Sequence, residues 1–138
     1  MSGPRVLVDT GPLVAFLREA EAAHAWAVAK FQELPAPFLT CEAVLAETFF
    51  LVSRQADGPR RFFDLLGSDL LEIDFPILRE REVLWKLVQK YKDLPMSLAD
   101  ACLVRLAELH PAASVFTLDT HFRIYRKNGR QQIPTIMP

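Results

Sequence analysis

The segment "RVLVDTGPLVAF", residues 5–16, joins a short strand-forming run to a helix through a single aspartate, and this junction indicates the class of fold. Arg5 to Val8 is rich in residues that favour strands. From Pro12 to Lys30, apolar residues recur at helical spacing, with a break predicted near Glu21. Asp9 lies where the strand ends and the helix begins, so its carboxylate either caps the helix or holds a ligand.

The same order of strand and helix repeats along the chain. Further strands are predicted near residues 70–73 and 114–118, and short apolar runs occur at residues 37–39 and 133–136. Further helices are predicted near 42–54, 76–91, 97–110 and 120–125. A short helix closed by Gly67 is also predicted, and Thr40 is a candidate cap for the helix at 42. This alternation predicts right-handed crossovers and an α/β fold with a mostly parallel sheet. No repeat or linker interrupts it, so we expect a single domain over residues 1–138.

Composition narrows the function. The chain is 51% hydrophobic and 24% charged with a formal net charge of −1, so any attraction for nucleic acid has to be local. No leader-type segment and no membrane-length apolar run occurs, which predicts a cytoplasmic protein without a membrane partner. Cys41 and Cys102 are expected to be buried thiols in a reducing compartment. Gly-rich nucleotide-binding motifs are absent from the sequence, which excludes the common nucleotide-triphosphate and dinucleotide folds.

Four acids stand where an α/β sheet binds its ligands. Such ligands bind beyond the carboxyl ends of the parallel strands, where the helices begin. Asp9 and Asp119 each follow a predicted strand directly, and Glu47 and Asp100 lie at or near helix starts. We therefore expect these carboxylates to face one crevice.

Taken singly, three of these acids also have a structural interpretation. Asp9 or the next residue would cap the first helix, and Asp119 would cap the short helix after it. Ser97 and Asp100 fit a capping box. Glu47 differs, because its neighbours three and four positions away are all apolar. That pattern predicts a core-facing stripe, on which an unpaired carboxylate is costly.

Four clustered carboxylates require a counter-charge. Two like charges about 4 Å apart cost roughly 4 kcal/mol at an effective dielectric of about 20. A hard divalent cation, Mg²⁺ or Mn²⁺, prefers an all-oxygen set of ligands completed by water and substrate phosphate. The three histidines are scattered along the sequence, which argues against zinc. An acid cluster with a divalent metal indicates phosphodiester or phosphomonoester chemistry.

Four segments carry a resemblance to a known family: "VLVDTGPLVAF", "LTCEAVLAETFFLV", "YKDLPMSLADACLVRLAEL" and "VFTLDTHFRIYR". Their order resembles that of PIN-domain proteins, in particular small prokaryotic toxin ribonucleases of the VapC type, over essentially the whole chain. The resemblance implies a three-layer α/β/α PIN-like domain with a roughly five-stranded parallel sheet. It also implies a Mg²⁺- or Mn²⁺-dependent endoribonuclease that hydrolyses RNA phosphodiester bonds, either the toxin of a toxin–antitoxin pair or a related PIN protein.

The resemblance also implies which residues form the site. The four catalytic acids of the family match Asp9, Glu47, Asp100 and Asp119. The three aspartates would ligate the metal, and Glu47 would hold a water molecule or a second metal and assist deprotonation of that water. Accessory positions are Thr10, Asp93, Ser97 and Thr117. Related sequences often carry an acid at the position of Ser97, and Asp93 is either a rim carboxylate or a solvated loop residue.

The resemblance also bears on partners, and two alternative functions remain open. The resemblance implies an RNA substrate, a homodimer, and a small antitoxin protein that inserts into the groove near the acids. One alternative is a PIN-like module that binds RNA or protein without cutting it. Another is a phosphatase that forms a phospho-aspartate, which the sequence disfavours because Thr10 and Gly11 follow Asp9 where a second acid is expected.

Local positive charge is concentrated in "HFRIYRKNGR", residues 121–130. The RNA-binding candidates there are Arg123, Arg126, Lys127 and Arg130. Tyr125 would stack on a base if its ring is exposed, or would pack inside together with Phe122. Arg60 and Arg61 form a weaker basic pair.

Four phenylalanines surround a turn between two predicted helices: Phe49, Phe50, Phe62 and Phe63. This aromatic cluster is either an interface for a partner or part of the core.

Overall fold

The computed structural model describes residues 4–138 and contains a five-stranded parallel sheet. The strands are β1 (Val6–Val8), β2 (Phe38–Thr40), β3 (Leu71–Ile73), β4 (Ser114–Phe116), β5 (Arg126–Lys127), β6 (Gln131–Gln132) and β7 (Thr135–Ile136). The sheet has the order β3-β2-β1-β4-β7, and each neighbouring pair is parallel. Strands β5 and β6 form a separate antiparallel hairpin.

Within residues 4–138, six α-helices flank this sheet, which confirms the three-layer α/β/α architecture. They are α1 (Thr10–Leu17), α2 (His24–Glu33), α3 (Glu42–Val52), α4 (Gly58–Leu66), α5 (Arg81–Lys90) and α6 (Leu98–Leu109). Strands β1 and β2 are buried along their whole length, as expected of inner parallel strands, whereas the edge strand β3 is partly exposed. Over residues 4–138, no helix has the length and apolar character needed to cross a membrane.

The helix boundaries agree with the sequence prediction at the break near Glu21 and differ from it at the start of α5. The region from Pro12 to Lys30 forms α1 and α2, separated by turns in which Glu21 donates its N–H to Arg18 and accepts from His24. This places the break where it was predicted. Helix α5 begins at Arg81 and not near residue 76, because residues 76–80 form turns in which the N–H groups of residues 79 and 80 both donate to the carbonyl of residue 76.

The prediction that Thr40 caps α3 is wrong. Thr40 is the last residue of β2, and its hydroxyl donates to the carbonyl of Val8 in the neighbouring strand at 2.8 Å. Cys41 stands at the N-cap position instead, without a side-chain cap hydrogen bond. Cys41 and Cys102 are both buried free thiols, as predicted.

The hairpin of β5 and β6 was not predicted from the basic composition of its segment. Asn128 and Gly129 form its turn with positive φ angles of 51° and 83°. Asn-Gly is the strongest short-range signal for such a turn, because both residues tolerate the left-handed region. The turn signal was therefore present in the sequence, within the basic segment.

Candidate metal centre

Three aspartates from distant parts of the chain converge at the carboxyl end of the sheet. One carboxylate oxygen each from Asp9, Asp100 and Asp119 lies within 4.8 Å of the others. Asp9 follows β1, Asp119 follows β4, and Asp100 belongs to the first turn of α6. Because β1 and β4 are neighbouring parallel strands, their ends meet at the same edge of the sheet.

Asp9 is the most deeply buried of the three, with 5% of its surface exposed. It is the N-cap residue of α1, and its Oδ1 accepts the N–H of Thr10 at 2.7 Å. Burial raises the pKa of Asp9 to about 6, although the hydrogen bonds from Thr117 and Thr10 oppose this effect. The negative charges of Asp100 and Asp119 contribute to the same rise in the pKa of Asp9. The helix-cap interpretation and the ligand interpretation are thus compatible, because the cap occupies one oxygen of a carboxylate that also faces the cluster.

Thr117 ties two of the acids together. Its hydroxyl donates to Oδ2 of Asp9 at 2.7 Å and accepts the N–H of Asp119 at 2.9 Å. Close packing beside it depends on Gly11, since a Cβ at that position would lie 3.1 Å from Cβ of Leu118. The glycine of "DTG" therefore lets the chain after β4 approach the chain after β1.

Asp100 is held from two sides. Its N–H donates to the hydroxyl of Ser97, the N-cap residue of α6, at 3.0 Å. Its Oδ2 accepts the phenolic O–H of Tyr125 at 2.9 Å. Burial raises the pKa of Asp100, with contributions from the charges of Asp119 and Glu47, while the two hydroxyl groups oppose the shift. Ser97 therefore acts as the predicted cap and brings Asp100 to the cluster.

Asp119 is the more open member of the trio, with 36% of its side chain exposed. As the N-cap residue of the 3₁₀ turn Thr120–Arg123, it accepts the N–H of His121 at 2.8 Å. The ring nitrogen Nδ1 of His121 also lies 3.4 Å from its Oδ1. The solvent side of the cluster is thus formed by Asp119 and His121.

Glu47 is placed differently from the prediction. It is exposed, and so are Phe50 and Leu51 one turn further along α3. Val44, one turn before Glu47, is fully buried, so the predicted stripe is divided between core and surface and Glu47 lies on its exposed part. The Oε1 atom of Glu47 accepts the hydroxyl of Thr10 at 2.9 Å, which brings the carboxylate to the rim of the site.

The trio whose oxygens lie within 4.8 Å contains neither Glu47 nor Asp93. Asp93 is exposed in the turns between α5 and α6. Among the described residues, its position fits the interpretation as a solvated loop acid. Of the four accessory candidates, Ser97 hydrogen-bonds one of the four acids, and Thr10 and Thr117 each hydrogen-bond two.

The basic segment is only partly available to a substrate. Lys127 is 6% exposed and its Nζ donates to the carbonyl of Pro111, so the prediction that it binds RNA is not supported. Arg126 donates to three carbonyls at the end of the 3₁₀ turn, those of residues 123, 124 and 125. Arg123 and Arg130 are exposed. Tyr125 and Phe122 are completely buried, which rules out stacking of Tyr125 on a base.

The weaker basic pair has local partners as well. Arg60 forms an ion pair with Asp64 on its own helix, and Arg61 donates to the carbonyl of Leu17 and to Glu19. Both arginines therefore have partners within the protein, while their side chains remain 72% and 43% exposed.

The aromatic cluster divides between core and surface. Phe62 is buried, whereas Phe49, Phe50 and Phe63 are 36%, 73% and 54% exposed. The rings of Phe49 and Phe63 lie 6.0 Å apart, so α3 and α4 share a continuous apolar patch. The patch starts one helical turn from Glu47.

The trio fits a hard divalent cation. Its three carboxylates supply oxygen ligands only, as Mg²⁺ and Mn²⁺ prefer. The raised pKa values of Asp9 and Asp100 show that negative charge is unfavourable there without a counter-charge. A cation between the carboxylates would relieve both burial and mutual repulsion.

Comparisons with known proteins agree with this fold. Residues 6–128 match the model of the PIN domain family. Ribonuclease VapC26 of Mycobacterium tuberculosis (strain ATCC 25618 / H37Rv) is 30% identical over 137 residues, covering 96% of this chain and 100% of the relative. The crystal structure of VapC20 of Mycobacterium tuberculosis, described as a sarcin-ricin loop cleaving toxin, aligns with a TM-score of 0.71 at 19% identity, covering 83% of this chain and 90% of that one. The chain therefore belongs to the PIN domain family.

Proposed function

We propose that this protein is an endoribonuclease that depends on Mg²⁺ or Mn²⁺, and that it acts as the toxin of a toxin–antitoxin pair or as a related PIN ribonuclease. The observation that carries the proposal is the convergence of three carboxylate oxygens within 4.8 Å from residues up to 110 positions apart, Asp9, Asp100 and Asp119. Similarity to Ribonuclease VapC26 over nearly the whole chain supports the ribonuclease activity.

The three aspartates would hold the cation. When bound, a divalent cation lowers the pKa of water toward neutrality and offsets negative charge on the reacting phosphoryl group. Thr117 and Tyr125 keep two of the carboxylates oriented, since each donates one hydrogen bond to an oxygen of the trio. The burial of Asp9 excludes bulk water from one side of the cluster, which strengthens electrostatic interactions within it.

Glu47 is suited to accept a proton. Its carboxylate is exposed, lies at the rim of the site, and accepts a hydrogen bond from Thr10. It can therefore orient a water molecule for in-line attack on the phosphorus and take up the proton that the water loses. The resemblance implies products with 5′-phosphate and 3′-hydroxyl ends.

RNA would approach from the open side of the cluster, where Asp119 is partly exposed. Arg123 lies in the 3₁₀ turn that Asp119 caps, and Arg130 is exposed in the hairpin after it. Both guanidinium groups are available to contact phosphates of the substrate.

The test is cleavage of a structured RNA in Mg²⁺, in Mn²⁺ and in excess chelator, with Asp9→Asn as the site variant. Asp93→Asn is the matched control, because it removes an exposed acid outside the trio. We expect cleavage that requires metal, is lost in Asp9→Asn and is retained in Asp93→Asn. RNA binding without cleavage by the wild-type protein would favour the non-catalytic module, and full activity of Asp9→Asn would contradict the proposed site.

We further propose two protein partners, a small antitoxin and a second copy of this chain. Exposed apolar surface on α3 and α4 begins one turn from Glu47, so a partner that covered it would also reach the acid cluster. Sedimentation or light scattering of the pure protein tests the homodimer. The compartment we propose is the cytoplasm, where Cys41 and Cys102 would stay reduced.

A further inference from the structure

The phenol of Tyr125 connects a buried aromatic wall to the acid cluster. The residue is completely buried, and its O–H donates to Oδ2 of Asp100 at 2.9 Å. Its ring packs edge-on against Tyr91 and Phe122, with centroid distances of 5.0 and 5.2 Å. These ring contacts fix the orientation of the Tyr125 side chain, so its hydroxyl is directed toward Asp100.

We propose that Tyr125 is a positioning residue for the metal site, which holds one oxygen of Asp100 and so turns the other oxygen toward the cation. The inference rests on the proposed function, because it concerns the same cation. Nothing in the sequence pattern assigns this role, since position 125 lies in a basic segment and precedes the hairpin.

The carboxylate of an aspartate has rotational freedom unless a partner holds it. A carboxylate without a second partner can rotate about its last bond and present either oxygen or both to a cation. Here the backbone of Asp100 is fixed by the Ser97 cap, and Tyr125 occupies Oδ2. The positioning role therefore assigns Oδ1 of Asp100 to the cation. Partners of this kind typically change metal affinity or activity by about 10- to 100-fold when removed.

Tyr91 offers a matched control within the same aromatic wall. The chain has two tyrosines, and the hydroxyl of Tyr91 accepts the N–H of Arg126 at 2.9 Å instead of facing a carboxylate. Tyr91→Phe therefore removes the same atom from the same cluster without touching Asp100.

The experiment measures Mn²⁺ affinity of the wild-type protein, Tyr125→Phe and Tyr91→Phe by calorimetry, with urea unfolding of the metal-free proteins alongside. We expect Tyr125→Phe to weaken Mn²⁺ binding about tenfold or more, and Tyr91→Phe to leave it nearly unchanged. Equal affinity of Tyr125→Phe and the wild type would overturn the inference, as would equal losses in both variants. Failure of the wild type to bind Mn²⁺ would instead contradict the proposed function.

A second measurement needs no folded variant of Tyr125. The Cζ carbons of the two tyrosines and the carboxyl carbons of the aspartates are followed by NMR while Mg²⁺ is added to the wild-type protein. We expect the Tyr125 signal to shift together with that of Asp100, while the Tyr91 signal stays in place. A carboxyl response without any response of Tyr125 would overturn the positioning role, and no carboxyl response would count against the proposed function.

Discussion

Thr117 and Asp9, 108 positions apart in the sequence, are joined by a hydrogen bond of 2.7 Å. The same hydroxyl accepts the N–H of Asp119. One buried side chain thus links the ends of β1 and β4 and sets the spacing of two carboxylates of the acid cluster.

Thr117→Val should disturb both functions of this hydroxyl. The change keeps the shape of the side chain but leaves the N–H of Asp119 without its acceptor and Oδ2 of Asp9 without its donor. We expect the free energy of unfolding to fall by about 1 to 3 kcal/mol and RNA cleavage to fall with it. Urea unfolding and a cleavage assay check this, with Thr117→Ser as the control that retains the hydroxyl. Equal losses in both variants would mean that the methyl packing matters and the bridge does not.

The buried charge of Asp9 predicts an unusual dependence of stability on pH. Its pKa is about 6 in the folded protein against an ordinary value of 3.8, so the folded state keeps a proton that the unfolded chain loses within this window. The free energy of unfolding therefore falls as the pH rises from about 4 to above 6, by on the order of 3 kcal/mol for this group. Metal-free Asp9→Asn should thus be more stable than the wild type at neutral pH.

The measurement is urea unfolding of both metal-free proteins over a series of pH values. The stability advantage of Asp9→Asn should disappear below about pH 4, where Asp9 is protonated in both states. The raised pKa of Asp100 acts in the same direction and remains in the variant, so only the difference between the two proteins isolates Asp9. A difference that does not change with pH would contradict this explanation.

Glu47 should matter for catalysis more than for metal binding, because it lies outside the trio whose oxygens converge. We expect Glu47→Gln to lower the cleavage rate by about 100-fold or more while Mn²⁺ affinity changes little. Thr10→Val, which removes the hydrogen bond to Glu47, should shift the rate in the same direction by less. Glu42→Gln is the control, since Glu42 is an exposed acid in the first turn of the same helix. A large loss of Mn²⁺ affinity in Glu47→Gln would make it a ligand.

The arginines of the basic segment should separate into two kinds. Arg130→Ala removes an exposed charge, so it should weaken RNA binding while the free energy of unfolding stays constant. The slope of log K for binding against log salt concentration should become smaller by about one phosphate contact. Arg126→Ala removes three hydrogen bonds to carbonyls and should lower the free energy of unfolding by about 1 to 2 kcal/mol. Binding titrations at several salt concentrations and urea unfolding distinguish the two. Equal effects of the two variants on RNA binding and on stability would contradict the division into an RNA-binding and a structural arginine.

Much of the fold follows from the sequence, because alternation of strand and helix signals restricts the topology to a few arrangements. Asp9 and Asp119 could be predicted as neighbours of the site, since parallel strands place their carboxyl ends at one edge. Asp100 could be placed by the capping signal that starts with Ser97. Local patterns of this kind are reliable because they depend on the backbone geometry of a few consecutive residues.

The orientation of side chains could not be predicted in the same way. Of the apolar neighbours of Glu47, Val44 is buried whereas Phe50 and Leu51 are exposed, and no spacing rule distinguishes the two cases. Lys127 was predicted to bind RNA, but its ammonium group donates a hydrogen bond to the carbonyl of Pro111. Tyr125 was weighed as a stacking residue, although tertiary packing directs its hydroxyl to Asp100. Each of these outcomes depends on contacts between residues far apart in the sequence.

The most direct measurement is anomalous diffraction from crystals of the wild-type protein soaked in Mn²⁺. The account predicts a manganese peak within coordination distance of a carboxylate oxygen from each of Asp9, Asp100 and Asp119. Saturating Mn²⁺ that left no peak between these carboxylates, combined with RNA cleavage that persists in excess chelator, would contradict it.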